Sequence, residues 1–140
     1  TKTSIYFSAA RPAAFWFHIK GPVQIGTIVL SSAFAYIIFT FGFAGFWRAV
    51  WQKDNLSRML VLITLAAPVG IIWIVAETRY RYQIYPMLII LGALFLRDFL
   101  KDKKANWRVL AVSFAIVTAN TTFDLVNNST RVLERLHKIL

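Results

Sequence analysis

Residues 23–47 read VQIGTIVLSSAFAYIIFTFGFAGFW, 25 residues without a charged side chain. At about 1.5 Å per residue, a helix of that length reaches about 37 Å, more than the roughly 30 Å hydrocarbon core of a bilayer. The run is therefore long enough to span a membrane with some tilt. Ser31, Ser32, Ala33 and Ala35 form a small-residue patch suited to close helix packing. Phe39, Phe41, Phe43, Phe46 and Trp47 crowd one end as packing or interface residues.

The composition points the same way. Of 140 residues, 58% are hydrophobic, and the mean hydropathy is +0.58. These values indicate an integral membrane protein. Sixteen Lys and Arg against six Asp and Glu give a net charge of +10. On a soluble protein that excess would point to nucleic acid. Here the cations fall between apolar runs, which fits anionic lipid head groups and control of topology, and no nucleic-acid partner is expected. With no cysteine, neither a disulfide nor a thiolate metal site can form. His18 and His137 are far apart in sequence, so no metal site is expected and no cofactor is assigned to this chain.

Three further apolar runs follow. The spans are placed at about 23–47, 59–76, 83–97 and 107–126, within a transmembrane region of residues 22–126. Pro68 lies in the middle of the second; it removes one backbone hydrogen bond and crowds the carbonyl of Thr64, so a kink is predicted. The fourth carries Ser113, Thr118, Asn120, Thr121 and Thr122, a polar stripe to turn into the bundle. Residues 1–21 are broken by Lys2, Arg11, Pro12, His18 and Lys20, and Phe15-Trp16-Phe17 reads as an interfacial segment. Residues 127–140 repeat apolar side chains at helical spacing, from Val132 and Leu133 to Leu136 and Ile139, with Arg131, Arg135 and Lys138 off that stripe. The tail is an amphipathic surface helix on this reading. Asn120, Asn127 and Asn128 each open a match to the glycosylation pattern, a signal too short to weigh much. The fold class predicted is all-α: a polytopic membrane helix bundle of about four transmembrane helices, with amphipathic interfacial segments at both ends.

The polar stretch Glu77-Thr78-Arg79-Tyr80-Arg81-Tyr82-Gln83-Ile84-Tyr85-Pro86 separates the second and third spans. Pro86 suits the first turn of a helix, whose positive end would then point back at the two arginines. If residues 79–82 are extended, Arg79 and Arg81 share one face and Tyr80 and Tyr82 the other. Two readings fit. The residues are interface anchors, as Arg and Tyr commonly are at membrane–water boundaries. Alternatively, Arg79 and Arg81, with Tyr80, Tyr82 and Tyr85 beside them, receive an anion such as a phosphate. From Gln83 to Leu96 there are 14 residues before Arg97. At about 1.5 Å each they reach about 21 Å, so the third span is short unless it continues through Phe99 and Leu100. Short spans are pointers to membrane binding sites. Glu77 is an ion-pair partner for Arg79 or Arg81 on the plainer reading, and no catalytic residue is assigned.

Arg79-Tyr80-Arg81, then Pro86, then an apolar run resembles the late transmembrane part of glycosyltransferases of the GT-C fold that use polyprenyl-phosphate sugars. These are the protein O-mannosyltransferase-like and aminoarabinose-transferase-like enzymes. The likeness covers roughly residues 20–100 through the order of apolar runs, and its specific element is about eight residues long. It implies transfer of a sugar from a lipid-linked phosphate on the outer membrane face, by a longer chain with an acidic catalytic loop and often a divalent metal. That acidic motif has no match here. Only the phosphate-handling role carries over, onto Arg79 and Arg81, with membrane lipids and a polyprenyl-phosphate sugar as ligands. The alternative is a small non-catalytic membrane subunit packed in a larger respiratory, photosynthetic or transport complex. On either reading the partner is the rest of a larger membrane protein or assembly.

Four spans put both termini on one side. The two loops on the other side hold Arg48, Lys53, Arg58, Arg97, Lys101, Lys103, Lys104 and Arg108, whereas the loop on the termini's side holds Arg79 and Arg81. The tails add Lys2, Arg11, Lys20, Arg131, Arg135 and Lys138, which equalises the two sides, so the short loops decide. They put the basic loops in the cytoplasm, and the termini and Arg79–Arg81 outside the plasma (inner) membrane. A single cysteine introduced at Asn128 should therefore react with a membrane-impermeant reagent in intact cells, and one at Lys103 should not. The reverse pattern contradicts the orientation.

Overall fold

The computed structural model describes residues 7–9, 22–52, 55–74 and 84–127. The described residues form four α-helices and no strand: α1 Pro22–Trp51, α2 Asn55–Ile74, α3 Tyr85–Lys101 and α4 Lys103–Asn127. The described part of the protein is thus all-helical. Two helical segments, Gly26–Trp51 and Lys103–Asn127, are long and apolar enough to cross a membrane. The other two helices are shorter, about 30 Å for α2 and about 26 Å for α3.

α1 is the central helix and touches the other three, α3 most extensively. Its contact face carries Ala35, Ile38, Phe39, Gly42, Gly45 and Ala49, with each turn of the helix contributing one or two of them. Opposite stand Leu88, Leu91, Gly92 and Phe95 of α3, all buried and similarly spaced. Such spacing aligns side chains along one side of a helix. Phe39 meets Tyr85 edge-on with ring centroids 5.8 Å apart, and Arg48 lies 4.0 Å from Asp98. Between those levels Gly42 faces Leu88, and Gly45 faces Leu91. Residue numbers rise together on the two helices, so α1 and α3 are parallel, and α2 returns the chain between them.

The separation of α1 and α3 is set by glycine. A Cβ added at Gly42 would lie 2.7 Å from Leu88 Cβ, closer than real side chains approach. One added at Gly45 would overlap the carbonyl of Leu91, which is backbone and has no rotamer to change. Gly92 returns the fit from α3, where a Cβ would lie 3.2 Å from Phe41 Cβ. Absence of side chains here brings the two backbones together, the arrangement by which small residues hold helices where no hydrophobic force drives them. The packing patch therefore lies at Ala35, Gly42, Gly45 and Ala49. Of the patch expected further upstream, only Ala35 is buried, whereas Ser31 and Ser32 are half-buried and Ala33 is exposed.

α4 runs antiparallel to α1. Tyr36 packs against Phe114 with centroids 5.5 Å apart and hydrogen-bonds Thr118, whereas Asn106 sits at the opposite end, beside Asp98. Residues 7–9 pack against the same two helices. Phe7 rests on Phe39 and Phe43, at 6.1 and 5.6 Å between centroids, and the Ala9 N–H donates to Thr121 Oγ1 at 3.4 Å. Ser8 and Ala9 are buried, so these three residues belong to the packed bundle, although the sequence assigns them to an interfacial segment.

α2 remains helical on both sides of Pro68. The Thr64 hydroxyl donates to the Leu60 carbonyl at 2.7 Å, one turn back. α3 does not stop at Arg97: it continues through Phe99 and Leu100 to Lys101, so the short version of the third span does not hold.

The glycine contacts predict opposite outcomes for one substitution at two positions. In Gly26→Ala the new methyl meets nothing within 4 Å. That variant should gain up to about 1 kcal/mol, the helix-propensity difference between the two residues. Gly45→Ala drives its methyl into Leu91 and should instead cost about 1–3 kcal/mol, the scale of overpacking. Thermal unfolding of both variants beside the wild type measures the contrast.

Candidate functional site

The residues singled out in the sequence divide between described and undescribed positions. Glu77, Arg79, Tyr80, Arg81 and Tyr82 lie outside the described residues. Tyr85 and Pro86 lie inside them, in the first turn of α3. Ile84 occupies the N-cap position with φ −86° and ψ −21°, and it gives no side-chain cap. The first helical bond there runs from the Leu88 N–H to the Ile84 carbonyl at 3.0 Å. α3 thus opens without the Ser, Thr, Asp or Asn that ordinarily occupies such a start, directly after the Arg-Tyr-Arg-Tyr sequence. Tyr85 is half-buried with its ring against Phe39, which anchors the head of α3 to α1.

A polar seam runs between α1 and α4. Asn106, Ser113, Val117 and Asp124 are the buried residues of α4; of the stripe expected from the sequence only Ser113 is buried, whereas Asn120 and Thr121 are half-buried and Thr122 is exposed. Thr118 is itself exposed, where its hydroxyl meets both Tyr36 and the Phe114 carbonyl, the latter at 2.8 Å. Thr40 and Ser113 are 6% and 0% exposed, and neither hydroxyl has a hydrogen-bond partner among the described residues. Asp124, near the end of α4, is 2% exposed.

The opposite end of the bundle is built from α3, α4 and the single residue between them. Asp102 serves both helices. Its backbone N–H donates to the Asp98 carbonyl at 3.1 Å, ending α3, and its Oδ1 accepts from the Ala105 N–H at 3.1 Å, starting α4. Asn106 closes the turn: its Nδ2 donates to the Asp98 and Asp102 carbonyls at 3.2 and 2.8 Å. Carbonyls at helix ends are short of intrahelical donors, and the amide adds two bonds there from one turn into α4, the one to Asp98 beside that from the Asp102 N–H. The Asp98 carboxylate accepts from Arg97 Nε and Nη2 at 3.3 Å each and lies 4.0 Å from Arg48 Nε. Neither Asp102 nor Asn106 is among the site residues singled out in the sequence. An Asp three residues before Ala105 was visible as a capping pattern, whereas the reach of Asn106 back to α3 depends on the one-residue turn.

Among the described residues no group of three or more His, Cys, Asp or Glu is placed to hold a metal ion. Comparison with protein-family models, with curated proteins and with solved structures finds no match for the chain.

Asn106→Ala should lower stability by about 1–3 kcal/mol, since the two bonds from its 3% exposed amide to the Asp98 and Asp102 carbonyls are lost. Thermal unfolding checks it. A change no larger than that of an exposed-site control such as Ala105→Ser would show that the turn does not depend on the amide.

Proposed function

We propose that the chain is a membrane-embedded helical part of a polyprenyl-phosphate-sugar glycosyltransferase related to the GT-C enzymes, and that it helps to bind the phosphate of the lipid-linked donor. The start of α3 carries this reading: a helix with Pro86 in its first turn and no side-chain cap, preceded in the chain by Arg79 and Arg81. Uncapped amides and the helix dipole favour an anion, and guanidinium groups suit phosphate oxygens. A lipid phosphate already lies at the depth of the head groups, so its desolvation cost there is low.

Bilayer placement of the whole bundle belongs to the same proposal. Leu30, Leu62 and Val126, on three different helices, are 71%, 68% and 68% exposed. Apolar surface spread over several helices is costly in water and ordinary in lipid. With Arg48, Arg58, Arg97, Lys101, Lys103, Lys104 and Arg108 at the α1–α2 and α3–α4 ends, the bundle has one strongly basic end. That end is cytoplasmic on this reading, and the head of α3 is extracytoplasmic. The acidic chemistry of sugar transfer would come from elsewhere in the enzyme.

A second reading, the non-catalytic subunit, draws on the exposed Tyr36–Thr118 hydrogen bond, which lies on two of the long apolar helices. A polar pair on a lipid-facing surface is normally covered by another helix.

Arg79→Gln and Arg81→Gln test the donor reading. Each should weaken retention of a polyprenyl phosphate, measured by native mass spectrometry, by roughly 1–3 kcal/mol while helix content stays unchanged. Equal retention in wild type and both variants would leave the arginines as interface anchors.

A further inference from the structure

The α3–α4 end holds more positive charge than its helices can use. Among the described residues it gathers Arg48, Arg58, Arg97, Lys101, Lys103, Lys104 and Arg108, against Asp98 and Asp102. Both carboxylates are already engaged. Asp98 is shared between Arg97 and Arg48, and Asp102 caps α4 through the Ala105 N–H. Lys101, Lys103, Lys104 and Arg108 have no ion-pair partner among the described residues, and all four are exposed.

Their positions work against the fold. The one-residue turn crowds Lys101, Lys103 and Lys104 into four consecutive positions. Lys104 and Arg108 are one turn apart on one helix face, where like charges repel. Lys103 and Lys104 stand in the first turn of α4, which carries no acidic residue, so they add to the positive end of its dipole instead of opposing it. An anion bound at the turn would relieve all three conflicts together.

The neighbouring surface indicates what carries that anion. Trp107 is 61% exposed, Trp51 66% and Leu100 65%, all at the same end as the cations. Aromatic rings and cations at one level match the interfacial zone of a membrane, where the rings lie among head groups and the cations meet phosphates. A soluble polyanion would satisfy the charges but leave this apolar surface in water.

We propose that the α3–α4 turn binds the head group of an anionic phospholipid of the cytoplasmic leaflet through Lys101, Lys103, Lys104 and Arg108, with Trp107 against the lipid. The binding rests on the membrane reading above and is independent of the donor site, which lies at the other end of α3.

Native mass spectrometry of the detergent-solubilised chain tests it, with cardiolipin, phosphatidylcholine and a short oligonucleotide as probes. Cardiolipin should be retained about tenfold or more over phosphatidylcholine, and added salt should reduce the difference. The triple variant Lys101→Gln, Lys103→Gln, Lys104→Gln should lose about tenfold or more of the cardiolipin retention, each surface cation contributing on the order of a fivefold effect. Gly26→Ala, which touches neither proposed site, should retain cardiolipin as the wild type does, and because the donor site is tested with a polyprenyl phosphate as probe, failure here is distinguishable from failure there. Equal retention of the two lipids by the wild type, a measurement that requires no variant, would overturn the proposal. So would unchanged retention in the triple variant, or displacement of cardiolipin by equimolar oligonucleotide.

Discussion

The backbone contact between Gly45 on α1 and the Leu91 carbonyl on α3 is the constraint on which the rest of the bundle depends. Two helices that meet through side chains can tolerate small errors, because rotamers adjust. Two helices that meet through a glycine and a carbonyl cannot, and their relative position is fixed to the width of a methyl group. That contact sets the level at which Tyr85 reaches Phe39 and the level at which Asp98 comes near Arg48. The head of α3 and the basic turn are therefore held at opposite ends of one rigid pair, about 26 Å of helix apart. α4 is fixed in turn by Asp102 and Asn106, which tie its start to the end of α3.

The two ends share a chemical theme, positive charge beside a helix start. They differ in how that charge is arranged. At the head of α3 the sequence puts two arginines among tyrosines immediately before a helix without a side-chain cap. Arginine presents a planar fork that suits a defined phosphate. At the α3–α4 turn three of the four cations without an ion-pair partner among the described residues are lysines, which act as mobile point charges and suit a diffuse anionic surface. On the two proposals, a donor site and a lipid surface would divide the work between a specific and a less selective anion contact.

Helical character was legible from the length of the uncharged runs, and the place where α3 begins was legible from Pro86. The end of α3 was not, because Arg97 interrupts the apolar run: its guanidinium pairs with Asp98 at the surface while the Phe95 and Phe99 rings meet at a tilt, 6.0 Å between centroids. Gly42 and Gly45 were visible as residues, yet nothing in the chain distinguishes glycines that receive a carbonyl from Gly26, which faces nothing. The burial of residues 7–9 was also hidden, since Phe7 finds its partners only after α1 and α4 are assembled. For the candidate site, sequence supplies the residues and the described structure supplies the helix that follows them. Arg79 and Arg81 themselves lie outside the described residues.

A photoreactive polyprenyl phosphate, cross-linked to the protein in membranes and mapped by peptide mass spectrometry, tests the central claim most directly. The label should fall within residues 79–86 and diminish in Arg79→Gln and Arg81→Gln. A label confined to residues 97–108, or distributed evenly over the exposed faces of α1 and α4, would contradict a phosphate site at the head of α3.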